Sequence, residues 1–189
     1  LKGGHRAHIW WADFSPDGRR VMTGSFDRML KIWDAKSGKD LQTPKGAGTY
    51  GNFAMNGQRL VASPMALGKG NKGVTKIWDV ETGRELFALK DGTHRHRHFI
   101  SPDGRRVVTL GGRKDNGSGT VIWDAESGKK LITLKTICNI AVFSPDGRYL
   151  ITMGLTNWGM DEPLKDTRRE RVKVWDAQSG EELRILKDV

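Results

Sequence analysis

Three histidines occupy alternate positions in the middle of the chain, at His94, His96 and His98, with an arginine in each gap. In a β-strand, side chains two residues apart lie on the same face, so the three imidazoles could converge. Imidazole nitrogens bind Zn²⁺ and other transition metals, which makes metal binding one interpretation. The alternative is a polar strand that contacts water or an anion. We favour this alternative because the stretch itself contains no carboxylate or thiolate.

The sequence also contains fragments of catalytic motifs, and each fragment lacks a required feature. Gly117-Ser118-Gly119 lacks the spacing of the nucleophile elbow of hydrolases. Gly68 and Gly73 have phosphate-loop spacing, but Val74 stands where that loop requires lysine. Cys138 has no identifiable base partner and fits a buried core thiol. We therefore predict that the protein is not an enzyme and has no catalytic residue, no cofactor and no metal ligand.

Length and composition exclude other classes of protein. The chain of 189 residues has the size of one domain, and no apolar run approaches the roughly 18 residues of a membrane span. A single cysteine excludes an internal disulfide and is typical of a reducing compartment, so we expect a cytoplasmic protein without a membrane partner. Because the chain starts with leucine instead of methionine, we expect it to be part of a longer protein.

The charge balance is strongly basic. The formal net charge is +10, from 32 lysines and arginines against 22 aspartates and glutamates. This balance permits binding to nucleic acid or another polyanion, but it does not select a partner. A lysine- and arginine-rich solvated surface has the same composition.

The elements that position these residues follow from an internal repeat. The dipeptide Trp-Asp occurs four times, with spacings of 45, 45 and 52 residues. In every copy a glycine lies five residues after the tryptophan and a leucine lies eight residues after it. The repeat tryptophans are Trp33, Trp78, Trp123 and Trp175. Four agreements at fixed offsets indicate four copies of one structural unit.

A second phrase precedes each Trp-Asp pair and predicts a tight turn. It reads Ser-Pro-Asp-Gly in three units and Ala-Met-Asn-Gly in the second. Proline presets the backbone for a turn, and Asp-Gly or Asn-Gly tolerates left-handed conformations. A run rich in β-branched and apolar residues follows each phrase, as in Val107 to Leu110. Each unit therefore predicts a four-stranded antiparallel meander of about 45 residues.

With these two phrases, the chain resembles the WD-repeat (WD40) β-propeller family over essentially its whole length. The resemblance implies an all-β fold of four four-stranded blades, at about 1–44, 45–90, 91–135 and 136–189, within a single domain. Propellers have about 4–8 blades, and the resemblance implies more than four, so we expect an open arc or part of a larger ring and rank a closed four-bladed ring last. The missing blades would come from a longer chain or from self-association.

The resemblance also assigns roles to particular residues. His5, Thr23, Asp27 and Trp33 match the family's buried hydrogen-bonded tetrad, with Ser25 as an alternative source of the strand hydroxyl. We interpret this set as structural, because a buried indole and imidazole need polar partners. First strands line the central channel of a propeller, so the three alternating histidines become candidate channel residues.

The connection between the second and third strands is longer in three units. Relative to the first unit, it has grown by 6, 4 and 13 residues. Insertions confined to one face of a repeat protein often mark its binding face. Trp158 in the longest insertion is a candidate anchor, because aromatic residues beside arginines are typical of interaction hot spots. The candidate partner-binding residues are Trp158, Met160, Arg168, Arg169, Arg171, Arg113 and Lys114.

These observations predict a non-catalytic scaffold that binds a protein partner on the rim carrying the insertions. The alternative is nucleic-acid or polyanion binding through the basic rim and the channel. The first hypothesis depends on Trp158, whereas the second predicts a steep salt dependence.

Overall fold

The structure is a computed structural model that describes residues 4–41, 43–64, 74–90, 98–110, 119–136, 138–154 and 172–186. It contains four antiparallel sheets in chain order, which we call blades 1 to 4. Blade 1 contains β1 (Ile9–Phe14), β2 (Arg20–Ser25) and β3 (Leu30–Asp34). Blade 2 contains β4 (Tyr50–Ala54), β5 (Arg59–Ser63), β6 (Thr75–Asp79) and β7 (Glu85–Leu89).

Blade 3 contains β8 (His98–Ile100), β9 (Arg106–Thr109), β10 (Thr120–Asp124) and β11 (Lys130–Leu134). Blade 4 contains β12 (Ile140–Phe143), β13 (Tyr149–Met153), β14 (Val172–Asp176) and β15 (Glu182–Leu186). Neighbouring strands of each blade are consecutive in sequence, so every blade is a meander. The predicted all-β architecture of propeller blades is confirmed, and the sheets do not close into a ring.

Blade 1 corrects one part of the prediction. Four strands were expected in every blade, but in the described part of blade 1 the fourth strand is reduced to a single bridge between Trp33 and Asp40. Blade 1 has Pro44 where the other blades have Leu89, Leu134 and Leu186. The Thr43 hydroxyl accepts the Ile32 N–H at 3.1 Å in place of a backbone carbonyl. Proline also has no N–H to donate to a strand ladder.

The core lies between blades and not within them. We call the side of a blade that carries its repeat tryptophan the tryptophan face, and the other side the opposite face. Met22 and Ile32 on the opposite face of blade 1 share a buried cluster with Phe53, Leu60 and Trp78 on the tryptophan face of blade 2. Equivalent clusters join blades 2 and 3 and blades 3 and 4. Each blade therefore buries its apolar faces only against neighbouring blades.

The turn phrases also hold the blades together. In the Ser-Pro-Asp-Gly turn of blade 1, the Ser15 hydroxyl donates to Asp17 at 2.6 Å, and Gly18 adopts a φ of 67°. That φ lies in the left-handed region that favours glycine. The Arg20 guanidinium then donates to the Gly57 carbonyl of the next blade at 3.1 Å. Turn and blade contact are thus encoded by one short segment.

Candidate functional site

The four tetrad residues of blade 1 meet in one hydrogen-bonded chain. The Trp33 indole N–H donates to the Thr23 hydroxyl oxygen at 2.8 Å. That hydroxyl lies 2.7 Å from His5 Nε2, and His5 Nδ1 lies 2.9 Å from Asp27 Oδ2. A His5 protonated on Nδ1 satisfies all three bonds, because it donates to Asp27 and accepts from Thr23. Ser25, the alternative hydroxyl, donates to the Ala7 carbonyl at 3.0 Å instead.

Asp27 is the hub that ties this chain to the backbone. It accepts the Arg6 N–H at 2.8 Å and the Met29 N–H at 2.9 Å in addition to His5. Burial raises the pKa of Asp27, but the hydrogen bonds from Arg6, His5 and Met29 outweigh it and hold the pKa below its ordinary value. The carboxylate therefore accepts three hydrogen bonds, and it holds the segment before β1 against the loop after β2.

The same position differs among the other blades. In blades 3 and 4 the indole N–H donates to a threonine hydroxyl, at 2.7 Å for Trp123 and Thr109 and at 2.8 Å for Trp175 and Thr152. In blade 2 the matching residue is Ala62, which has no hydroxyl. The Trp78 indole N–H is buried without a hydrogen-bond partner among the described residues.

The aspartates of the Trp-Asp pairs each organise the following turn. Asp34 accepts the N–H and the hydroxyl of Ser37, at 2.7 and 2.6 Å. The Ser37 hydroxyl and N–H hold the pKa of Asp34 below its ordinary value. Asp124 and Asp176 make the same pair of bonds with Ser127 and Ser179. These carboxylates therefore act as turn caps.

The first strands of the blades line an open cavity of about 360 Å³. Its polar lining includes Asp13, Tyr50, Asn52 and His98. His98 is only 1% exposed, and neither of its ring nitrogens has a normal hydrogen-bond partner in the described chain. Burial lowers the pKa of His98 to about 4, and the nearby Val61 backbone opposes this shift only weakly. His98 is thus a buried neutral side chain, in contrast to the wet channel lining that the sequence suggested.

An aromatic cluster beside this cavity was missed by the sequence reasoning. Trp10 stacks on Tyr50 with ring centroids 6.1 Å apart, and Tyr50 meets His98 edge-on at 5.3 Å. The Trp11 indole N–H donates to the Thr49 carbonyl at 2.6 Å, and Trp10 remains 39% exposed. The adjacent pair Trp10-Trp11 in a predicted first strand was the available signal.

Several predicted site residues lie outside the described part of the chain. They are Trp158, Met160, Arg168, Arg169, Arg171, Arg113, Lys114, His94 and His96. Within the described ranges, no three histidine, cysteine, aspartate or glutamate side chains cluster so as to hold a metal ion. No helix in those ranges is long and apolar enough to span a membrane.

Comparison with known proteins agrees with this geometry. Residues 2–34 match the family model described as WD domain, G-beta repeat. Ribosome assembly protein 4 of Saccharomyces cerevisiae is 42% identical over 40 residues, which is 21% of this chain and 8% of that protein. The computationally designed Ika8 protein superposes on 97% of this chain with a TM-score of 0.66 and 20% identity, and the match spans 50% of its own chain. The chain thus spans only part of these relatives.

Proposed function

Because this chain is a WD40-repeat protein, we propose that it is a non-catalytic scaffold that binds a protein partner on one rim of the blade arc. One observation supports the proposal most strongly: the polar side chains of the tetrad and of the turns make hydrogen bonds within the fold. The tetrad of blade 1 and the aspartates of the turns bond to one another and to the backbone. Such side chains build a rigid platform and leave recognition to loops.

The position of the lengthened connections supports a binding rim. These connections leave the second strand of a blade and enter the third strand, in blades 2, 3 and 4. Register places the flanking strand ends side by side, as with Met153 and Val172 in blade 4. Because successive blades pack in the same orientation, all three connections leave from the same rim of the arc.

The partner surface on this rim combines an aromatic residue with basic residues. Trp158 is the proposed anchor, and Arg168, Arg169 and Arg171 are its proposed charged surroundings. Tryptophan and arginine are the residue types that dominate interface energetics. The yeast relative is named for ribosome assembly, and a scaffold that holds partners together is consistent with such a role.

The test compares captured proteins between matched variants. The chain and its variants are immobilised, incubated with extract of the source cells after nuclease treatment, and the captured proteins are quantified by mass spectrometry. We expect Trp158→Ala and the double variant R168A/R169A to lose a defined set of proteins at least about tenfold. The control R105A/R148A removes two exposed arginines of the opposite rim and keeps that set.

Two outcomes contradict the proposal. One is an unchanged captured set for Trp158→Ala, which removes the anchor. The other is binding that disappears with nuclease and recovers with added duplex DNA. In that case, log affinity is measured against log salt concentration. A slope of about −0.9 per phosphate contact on duplex DNA identifies polyanion binding.

A further inference from the structure

The tryptophan face of blade 1 is uncovered, although its equivalents are buried. Phe53 and Phe143 are 7% and 9% exposed on the tryptophan faces of blades 2 and 4. The matching residue of blade 1, Phe14, is 63% exposed. Ala35 is exposed as well, whereas its equivalent Ala177 is 1% exposed. The residue types of a blade interface are therefore present in blade 1, but no blade among the described residues covers them.

The opposite face of blade 4 is uncovered in the same way. Ile151 pairs with Val174 in the register that pairs Val108 with Ile122 in blade 3. Val108 and Ile122 are fully buried by blade 4, whereas Ile151 is 40% exposed.

The outer strand repeats this contrast. Leu134 in blade 3 is 1% exposed, and its counterpart in blade 4, Leu186, is 36% exposed.

The exposed face of blade 4 is built as an interface and not as a cap. Val142, Ile151 and Val174 stand side by side in register, and the row ends at Arg184. The end of a repeat array that faces water needs a polar outer face. Three adjacent apolar side chains on the exposed face instead indicate a partner surface.

The three internal interfaces show which kind of surface covers these faces. In each of them the opposite face of one blade meets the tryptophan face of the next. In one such contact, Ile132 of blade 3 lies directly over Gly180 of blade 4, while the matching Gly38 of blade 1 is open. The two uncovered faces of this chain are therefore of complementary kinds.

We propose that two copies of this chain associate head to tail and close one ring of eight blades. The opposite face of blade 4 in each copy covers the tryptophan face of blade 1 in the other, so both faces are buried under twofold symmetry. The arc has suitable curvature, because 97% of it superposes on half of a solved chain with a propeller-like fold. The second copy also completes the wall of the central cavity between β1 and β12.

The buried area is sufficient for a stable dimer. A blade face five residues long extends roughly 17 Å along its strands, and it is roughly 19 Å wide for the four strands of blade 4 and roughly 14 Å wide for the three strands of blade 1, or about 320 and 240 Å². Two faces of each kind meet in the closed ring, for a total of about 1,100 Å². This total exceeds the roughly 1,000 Å² expected of a biological interface.

The test measures the mass of the full chain and of face variants by light scattering during gel filtration, over a concentration series. We expect a molar mass of about twice the 21.1 kDa of one chain. Ile151→Asp on blade 4 and Phe14→Asp on blade 1 each weaken the dimer on the order of 100-fold or more. The control Leu131→Asp changes a residue that is 50% exposed on a covered blade, and it leaves the dimer intact.

Mixing the two face variants tests the head-to-tail geometry. A dimer of Ile151→Asp with Phe14→Asp keeps one undamaged contact, so the mixture recovers part of the dimer. If Phe14→Asp alone stays fully dimeric, the copies pair face to like face and the ring is wrong. A monodisperse monomer or an indefinite series of oligomers also overturns the proposal.

A measurement on the unmodified chain guards against misfolded variants. In the ring, hydroxyl-radical oxidation of Phe14 is as slow as that of the buried Phe143. Oxidation of Phe14 at the rate of an exposed phenylalanine, such as Phe26, which is 61% exposed, rules out the closed ring.

Discussion

Blade 1 pairs the polar atoms of its tetrad, whereas the inner blades leave some buried polar atoms unpaired. In blade 1, Trp33, Thr23, His5 and Asp27 form one continuous set of hydrogen bonds. In blades 2 and 3, the Trp78 indole N–H and both ring nitrogens of His98 are buried without partners in the described chain. All of these blades are nevertheless antiparallel meanders with apolar residues on corresponding faces.

This difference shows that packing between blades and hydrogen bonding within the tetrad stabilise different parts of the molecule. The shape of a blade comes from strands and apolar faces that neighbouring blades cover, and it tolerates an unpaired polar atom. The tetrad instead attaches residues 4–8 to the loop after β2, and the backbone bond from Phe26 N–H to the His8 carbonyl at 3.0 Å reinforces this attachment. No described blade covers the tryptophan face of blade 1, where Phe14 is 63% exposed, so hydrogen bonds supply there what packing supplies elsewhere.

The largest expected effect comes from removing the central hydroxyl of the tetrad. Thr23→Val keeps the side-chain shape but leaves the Trp33 N–H and His5 Nε2 without partners. Each unsatisfied buried group costs about 1–3 kcal/mol, so we expect the free energy of unfolding to fall by about 3 kcal/mol. Urea unfolding at pH 7 measures it. Thr109→Val is the matched control, because among the described residues it removes a partner only from the Trp123 N–H, and it should cost about half as much. Equal losses in the two variants would show that His5 contributes nothing.

The unpaired histidine of blade 3 predicts a loss of stability in mild acid. The pKa of His98 is lowered by burial from 6.5 to about 4. The folded state therefore binds fewer protons than the unfolded state in this window, and its stability falls as the pH drops from 6.5 towards 4. The full loss is about 3 kcal/mol, since one pKa unit corresponds to about 1.4 kcal/mol.

Urea unfolding of the unmodified chain and of a His98 variant, measured at several pH values, tests whether His98 causes this loss of stability. His98→Leu removes the titrating group and flattens the dependence of stability on pH between 6.5 and 4. A slope in the variant equal to that of the unmodified chain assigns the effect to other groups.

The next effect in size concerns the carboxylate of the tetrad. Asp27→Asn weakens three hydrogen bonds to the carboxylate, and we expect a loss of about 1–2 kcal/mol at pH 7. Because the folded-state pKa of Asp27 is lowered, its stabilisation is complete above pH 3.8 and is lost as the pH falls through the folded value. The difference between Asp27→Asn and the unmodified chain therefore shrinks below pH 3.8.

An exposed aspartate of the same blade provides the control. Asp13→Asn changes a carboxylate that accepts only the adjacent Phe14 N–H, at 2.8 Å, among the described residues. Surface substitutions of this kind usually stay within about 0.5 kcal/mol. A larger loss for Asp13→Asn than for Asp27→Asn contradicts the special role of the tetrad.

The fold could be predicted because its determinants are local and repeated. The Trp-Asp and turn phrases predicted the strand order of every blade, and Pro44 was a readable signal for the shortened fourth strand of blade 1. Thr23 and Ser25 could not be separated as the source of the hydroxyl by sequence alone. The structure separates them, since Ser25 lies closer to the chain before β1 and bonds to Ala7.

The interior of the arc could not be predicted, because it depends on distances between blades. Alternation placed His98 on one face of a first strand, but it gave no information on whether neighbours bury that face. Burial follows from β8 lying between β4 and β12, with Tyr50 against the imidazole. The contact between Trp10 and Tyr50 likewise joins two blades that the repeat pattern treats as separate units.

The smallest expected effect comes from a substitution that gives blade 2 one hydrogen bond of the tetrad. Ala62→Thr places a hydroxyl where Thr109 and Thr152 meet their tryptophans, so the Trp78 N–H gains an acceptor. One new buried hydrogen bond is worth about 1 kcal/mol, and Ala62→Val adds the same volume without the hydroxyl. The stability of Ala62→Thr minus that of Ala62→Val therefore isolates the hydrogen bond from any strain. A difference near zero in urea unfolding would mean that the stability of blade 2 does not depend on an acceptor for the Trp78 N–H.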